Sequence, residues 1–454
     1  MKKLLLLLLM SPWCFSQVFE TIPIFENGPK EKRINMVVMG DGFTADQQAD
    51  FVTNATSLVD YIFSKVPYAQ YKNYFNVYAI KVISPETGVK HPGNATDVTE
   101  PVIPITNPNN FLGSSFDVGG THRCLYSSST NKVTNVLASN VPDFDIAFIL
   151  GNSPEYGGCG GTYAFLSKHS QANEIVVHEL GHSFGKLADE YWFSGTGESP
   201  NKTKDSNPAT NRWKNWIGLN SVGIYPYEES PTWFRPHQNC EMRYLNREFC
   251  AVCRQQLIER VHTLQTPIDS FTPDNSSGIN LSGPIIFTVN EILPNPNTLE
   301  NTWTLNGNPL SETASSVNIA AADFTNGVNT VQFSVIDNNS LLKVDNHAAL
   351  HVSTVLWTVN KTLSAVDVNS SVRSFAVYPN PATAQIFIKD QKNNLKNVSV
   401  AIFDASGRSV KKLKAKTLSS GEVSVDLAGL LPQTYIIKVY ENDVLILSQK
   451  IIKE

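Results

Sequence analysis

The chain has 454 residues, of which 41% are hydrophobic and 17% charged, with a formal net charge of −5. This composition excludes an intrinsically disordered chain, and so mild a negative charge gives no electrostatic reason for a nucleic-acid partner. At roughly 100–200 residues per domain, the length predicts two to four domains.

Lys2 and Lys3 precede a short apolar run from Leu4 to Met10, and the small Ser16 precedes Gln17. Residues 1–16 therefore read as a signal peptide, since the run is too short to span a bilayer. Ser11, Pro12 and Trp13 make a poor lipobox ahead of Cys14. No later run is long and apolar enough for a transmembrane helix. Five cysteines remain after the expected cleavage: Cys124, Cys159, Cys240, Cys250 and Cys253. Export permits disulfides, and an odd number leaves at least one thiol unpaired in a monomer. Cys250 and Cys253 form a C-x-x-C without a second one, which argues against a structural zinc held by four cysteines. A disulfide from Cys240 to Cys250 or Cys253 is expected instead.

Residues 34–42 read as a buried strand ending in a glycine turn. Thr44 and Gln47 have capping-box spacing, and Phe51, Ala55, Leu58, Val59 and Ile62 follow at helical period. Residues 74–83 and 144–150 are further strands. Strands alternating with helices predict an α/β layer before residue 170. The glycines from Gly157 to Gly161 lack the Gly-Lys-Ser/Thr of a phosphate loop and read as a strand edge beside a cleft. From residue 266 the texture changes to short alternating runs with Asn and Gly turns. Residues 266–360 are expected to form a β-sandwich, 361–374 a linker, and 375–454 a second, smaller β-domain.

The chemistry concentrates in His178-Glu179-Leu180-Gly181-His182. Ser170 is placed to cap the helix and Glu174 lies near its positive end. Histidines four apart leave the same helical face and can reach one ion. Glu179 is rotated by about 100° from His178. It can address a water that zinc activates without occupying the metal, as the general base of peptide hydrolysis requires. A ligand seven residues further along a straight helix would be about 10 Å away. Gly185 is therefore expected to end the helix in a left-handed turn. In the common H-E-x-x-H-x-x-G-x-x-H spacing the third ligand would fall at Ala188, which cannot bind metal. Asp189 is the expected third ligand, with Glu190 the next choice.

Taken together, His178-Glu179-x-x-His182-x-x-Gly185-x-x-x-Asp189-Glu190-Tyr191 resembles the signature of the IgA-peptidase family, the igalysin branch of the metzincins. Arg33 through Thr44, Ser84-Pro85-Glu86-Thr87-Gly88, Cys240-Glu241-Met242-Arg243 and Phe249 through Cys253 resemble further motifs of that family, in order. The resemblance implies a metzincin-like α/β catalytic domain over 17–265, one catalytic Zn2+, and Met242 in a Met-turn beneath it. Tyr244, two residues on, stands where some metzincins carry a tyrosine that can bind zinc or stabilise the oxyanion. His91, His122, His169, His237, His262, His347 and His351 read as surface or capping groups, with His237 singled out because it precedes Met242.

Tyr378-Pro379-Asn380-Pro381-Ala382, Asp404 through Arg408, Tyr435 through Val439, and Lys450 through Lys453 resemble a type IX secretion C-terminal sorting domain. That implies a partner in the type IX machinery and a secreted or outer-surface location in a Gram-negative bacterium. The module at 266–360 is similar to immunoglobulin-like modules. The function expected is a secreted zinc endopeptidase acting on a protein or peptide. The rival is a surface binding or adhesion protein that keeps a peptidase fold without catalysis.

Overall fold

The apolar runs of the first 170 residues lie side by side in one sheet, whose four inner strands are buried on both faces. A computed structural model of the chain describes residues 18–192, 197–362, 374–390, 395–418 and 421–454. The signal peptide expected at 1–16 and residues 363–373 of the expected linker lie outside these. The sheet is built from β1 (Thr21–Phe25), β2 (Ile34–Asp41), β3 (Phe75–Ile80), β4 (Ile146–Gly151), β5 (Gly158–Cys159) and β6 (Ala164–Ser167), in the order β1-β3-β2-β4-β6-β5. The inner strands β3, β2, β4 and β6 run parallel, while β1 and β5 pair antiparallel at the two edges.

Helices cover both faces, as a parallel sheet requires. They are α1 (Gln48–Ile62), α2 (Thr130–Asn140), α3 (Ala172–Ser183) and α4 (Ala251–Leu264). Alternation along β2 divides its side chains. Met36 and Val38 pack with Leu58 of α1, Leu180 of α3 and Leu257 of α4. Val37 and Met39 pack with Val133 and Leu137 of α2. The capping box at Thr44 and Gln47 is formed, and it opens a single 3-10 turn that leads into α1.

Cys124 and Cys159 form a disulfide that ties a loop to edge strand β5. Cys240, Cys250 and Cys253 are free thiols. The expected disulfide from Cys240 is not made: its sulfur is 3.7 Å from that of Cys253, far beyond a bond of about 2.05 Å.

A hairpin of β7 (Tyr225–Pro226) and β8 (Phe234–Arg235) precedes α4. The sandwich then follows: β9 (Ile268–Thr272), β10 (Ile279–Asn280), β11 (Ile285–Glu291), β12 (Leu299–Leu305), β13 (Asn308–Pro309), β14 (Ser316–Ile319), β15 (Gly327–Asp337) and β16 (Ser353–Lys361), with a short helix α5 (His347–His351). Sheets β10-β16-β15-β12-β13 and β14-β11-β9 enclose Phe287, Trp303, Phe333 and Trp357. This module shares one compact unit with the α/β layer, and residues 362–454 form a second unit. The second unit is all β: β17 (Phe375–Tyr378), β18 (Gln385–Asp390), β19 (Val398–Phe403), β20 (Ser409–Lys414), β21 (Lys416–Thr417), β22 (Val423–Asp426), β23 (Gln433–Glu441) and β24 (Val444–Lys453). Two four-stranded sheets enclose its own core around Ile386, Val400 and Ile437.

Candidate metal centre

Helix α3 carries the H-E-x-x-H stretch across the sheet's cleft end. Ser170 does not cap it. Gln171 stands at the N-cap without a side-chain bond, and the N–H of Ala172 donates to the carbonyl of His169. Glu174 lies in the first turn, buried, and pairs with Lys65 at 2.9 Å.

The helix ends as needed, by a different residue than expected. Lys186, at φ 57°, takes the left-handed position and Gly185 does not. Gly185 is there for room, since a Cβ would lie 2.7 Å from Leu257 and 2.8 Å from the carbonyl of Gly181. Gly181 serves a similar end: a Cβ there would sit 2.2 Å from the sulfur of Met242. Met242 is fully buried beneath the helix at that point.

The reversal brings Asp189 back to the histidines. His178 Nε2 is 3.1 Å from Asp189 Oδ1 and 3.2 Å from His182 Nε2, and His182 Nε2 is 3.2 Å from Asp189 Oδ1. Each imidazole has its other nitrogen against a backbone carbonyl: His178 Nδ1 donates to Glu241 O at 3.0 Å and His182 Nδ1 to Leu187 O at 2.8 Å. A carbonyl can only accept, so each imidazole, when neutral, turns its Nε2 lone pair to the same point. Asp189 is held in turn, its own carbonyl accepting from the Tyr227 hydroxyl at 2.8 Å.

Electrostatics fit a cation site. Burial opposes the ionised form of Asp189, but hydrogen bonds from His178 and His182 win and hold its carboxyl below the usual range. Burial likewise opposes protonation of His182, yet Asp189 raises it to about 9. Glu179 is raised by burial, while His178 and His182 pull the other way.

Glu179 and His178 line a cleft of about 720 Å³ with Tyr156, Tyr191 and Tyr244. Gly158 and Cys159 of β5 form part of its wall. Gly160 abuts Glu179 so closely that a Cβ would lie 1.8 Å from Oε2. Tyr244 is half-exposed at the cleft, with Arg243 over its ring at 4.8 Å. Tyr191, which follows the two acidic residues in the sequence, stacks on His178 at 6.3 Å.

Other expectations change. Glu190, the next choice for the third ligand, points away from the histidines and into a cluster with Cys240, Cys250 and Cys253. His237 caps locally, accepting the N–H of Asn239 at 3.0 Å. His91 and His122 are buried rather than superficial, both facing Glu100 and Asp117. His262, His347 and His351 face Asp337 and Glu259. Lone histidines in a sequence carry no sign of such partners, which come from other segments.

Comparison with known proteins gives two family matches, IgA Peptidase M64 over residues 22–222 and a secretion system C-terminal sorting domain over 376–454. The first ends before Met242 and the three free cysteines. No curated protein matches the chain. Solved structures similar to part of it include latent PorU from Porphyromonas gingivalis, at 16% identity over 41% of this chain and 20% of that one, with a TM-score of 0.16. Fibronectin(III)-like modules of CbhA from Clostridium thermocellum align at 7% identity over 41% of this chain and 91% of theirs, with a TM-score of 0.15. Overlaps this loose decide nothing about the fold, and the chain spans only about a fifth of PorU. No helix of the described residues is long and apolar enough to cross a membrane. The chain is thus multidomain: residues 22–222 match the IgA peptidase M64 family, and the type IX secretion sorting domain makes it a secreted or cell-surface protein.

Proposed function

We propose that this chain is a zinc-dependent endopeptidase of metzincin type, with His178, His182 and Asp189 as metal ligands and Glu179 as general base. The observation that carries the reading is the triangle of donor atoms, 3.1 to 3.2 Å on each side. Ligands on a tetrahedral zinc with bonds of about 2.0–2.1 Å lie about 3.3–3.4 Å apart. Nitrogen and carboxylate donors suit zinc, and three protein ligands leave a position open for catalysis. Zinc held there would lower the pKa of a water and polarise the scissile carbonyl.

The chain's own residues do the rest. Glu179 Oε takes the proton of the attacking water and returns it to the nitrogen of the departing amine. Its raised pKa suits both directions of that transfer. Tyr244, on the open side of the cleft, donates to the carbonyl oxygen as negative charge develops there. Tyr191 supports His178 by stacking on its ring. Edge strand β5, stapled by the Cys124–Cys159 disulfide, forms the cleft wall along which an extended protein or peptide substrate lies. The C-terminal unit engages the type IX machinery during export.

Glu179→Gln tests this. The variant should keep its metal by elemental analysis and lose peptide cleavage by about 10²- to 10⁴-fold. Near wild-type turnover in the variant would remove the mechanism, and an active metal-free wild type would remove the zinc.

A further inference from the structure

Two adjacent residues leave the same segment in opposite directions. Asp189 faces the histidines, and Glu190 enters a closed pocket formed by Cys240, Cys250 and Cys253. Glu190, Cys240 and Cys253 have no exposed surface, and Cys250 has 6%. Their ligand atoms all lie within 4.8 Å of one another. Cys240 Sγ is 3.7 Å from Cys253 Sγ, and Glu190 Oε1 is 3.2 Å from Cys253 Sγ and 4.0 Å from Cys250 Sγ.

We propose that these four residues hold a second zinc ion, structural and closed to solvent, which braces the segment carrying Asp189. Sulfurs on a tetrahedral zinc with bonds of about 2.3 Å lie about 3.7–3.8 Å apart, and a sulfur and an oxygen about 3.5 Å. The separations in the cluster lie around both values. A thiolate-rich set of four selects zinc over calcium or magnesium, and a fourth protein ligand closes the site to catalysis.

Without a cation the cluster is hard to account for. The Glu190 carboxyl is fully buried. Oε2 has no hydrogen-bond partner at all. Among the described residues, no lysine, arginine or histidine pairs with Glu190. A buried carboxylate left in that state is strongly disfavoured. The thiols pose the same question. This chain oxidises Cys124 and Cys159 to a disulfide, yet three thiols in contact remain reduced. A bound zinc keeps clustered thiolates from oxidising in an exported protein.

The surroundings are those of a ligand shell. The backbone N–H of Cys250 donates to Cys240 Sγ at 3.3 Å, and Asn201 Nδ2 donates to Glu190 Oε1 at 3.1 Å. Cys250 is the N-cap of α4 and Cys253 lies in its first turn, where the helix's positive end favours thiolates. An ion here joins three pieces of chain: the segment after the α3 reversal, the Met242 turn and the start of α4. The N–H of Glu190 also donates to Met242 O at 2.7 Å. Asp189 is thus positioned from behind by its neighbour's coordination.

The test exchanges the metal of the purified full chain for Co2+. Thiolate ligation gives intense sulfur-to-cobalt charge-transfer absorption in the near ultraviolet, which nitrogen and oxygen ligands do not. The band should appear in the wild type, persist in Asp189→Ala and vanish in Cys253→Ala, which should also lose about one zinc per chain. The readout does not depend on activity, so it stands or falls separately from the peptidase reading. If Cys253→Ala fails to fold, the wild type decides alone. Alkylation of the denatured, metal-stripped chain starting at Gln17, which lacks Cys14, should then label three thiols, and a mercurial should release about one zinc as the three react. A folded cobalt form without the band overturns the proposal, as does a single alkylated thiol, which would mean a disulfide in the pocket.

Discussion

Replacing Gly181 by Ala perturbs the centre without touching a ligand. The new Cβ would lie 2.2 Å from Met242 Sδ and 3.0 Å from its Cε. Non-bonded contact is about 3.5–4.0 Å, so the sulfur must retreat by about 1.5 Å. Met242 is fully buried, so it cannot retreat without moving its neighbours. Overpacking of this kind costs about 1–3 kcal/mol, with the flexible thioether favouring the lower end. In a unit of this size that corresponds to a Tm lower by about 1–4 °C. The displacement also reaches the ligands, because Met242 O accepts from the N–H of Glu190 and Glu241 O accepts from His178 Nδ1. Metal affinity should fall with stability. Differential scanning calorimetry and competition with a chromophoric chelator read the two effects. Met242→Ala in the same chain makes room, so the double variant should be less destabilised than the two single losses added together. A Gly181→Ala chain that melts and binds metal like the wild type, or strictly additive losses, would refute the reasoning that Met242 is wedged under the helix.

Asp189→Ala and Glu190→Ala should each lose metal from a different site. The first abolishes peptide cleavage and leaves the cobalt–thiolate absorption, while the second weakens or removes that absorption; spectra and activity of the two variants side by side check this. A pH effect is expected at His347, where burial works against protonation but the hydrogen bond to Glu259 prevails and raises its pKa. Glu259, Asp337, His262 and His351 are the titratable groups around it. A raised histidine pKa gives stability that is complete below the unfolded value of about 6.5 and lost as pH rises through the folded one. The Tm of the wild type should therefore fall relative to His347→Gln from about pH 6 to pH 8, and parallel Tm profiles would show that the pair contributes nothing.

What could be read in the sequence was what is local. His178 and His182 share a helical face by spacing alone, and the buried runs of β2, β3 and β4 show as continuous apolar stretches. The return of the chain to Asp189 was legible as a requirement, but its means was not. Lys186 takes the left-handed turn, and Gly185 answers to Leu257, a residue on a helix that begins 66 positions later. Helix α4 gave little periodic signal because Ala251, Val252, Cys253, Gln255, Leu257 and Ile258 are all buried, around much of its circumference. Glu190 differs from Asp189 only in parity along an extended segment, which the bond to Met242 O sets. Cys240, Cys250 and Cys253 suggested a disulfide because the fourth member of their cluster is a carboxylate from another segment, and no cysteine spacing announces that.

The same long-range contacts decide where the chain can be cut. The sequence suggested that the catalytic part closes near residue 265, and that a chain ending near Asn360 should fold, bind zinc and cleave peptides. The structure makes the stretch between those points necessary. Asp337, at the end of β15, accepts from the Tyr71 hydroxyl and from His262 Nε2, both within the peptidase layer. Gln255 on α4 accepts from the N–H of Lys343 at 2.7 Å, and Ile292 is part of the core around α3 and α4. A chain ending at 265 loses all of these. Each buried polar group left without its partner costs about 1–3 kcal/mol, and Tyr71 and His262 are two such groups before any apolar loss is added. A typical total stability is about 5–15 kcal/mol, so the shorter chain should be largely unfolded or aggregated at 25 °C. A chain ending at 361 keeps every one of these contacts and omits a unit that has its own core. It should melt in one transition, bind zinc and cleave peptides like the full chain, yet remain in the periplasm of a type IX-competent host. Calorimetry of the two shortened chains and fractionation of the host check both halves. A 265-residue chain as stable as the 361-residue one would show that the sandwich is only an appendage, and efficient export of the 361-residue chain would take the sorting role away from the C-terminal unit.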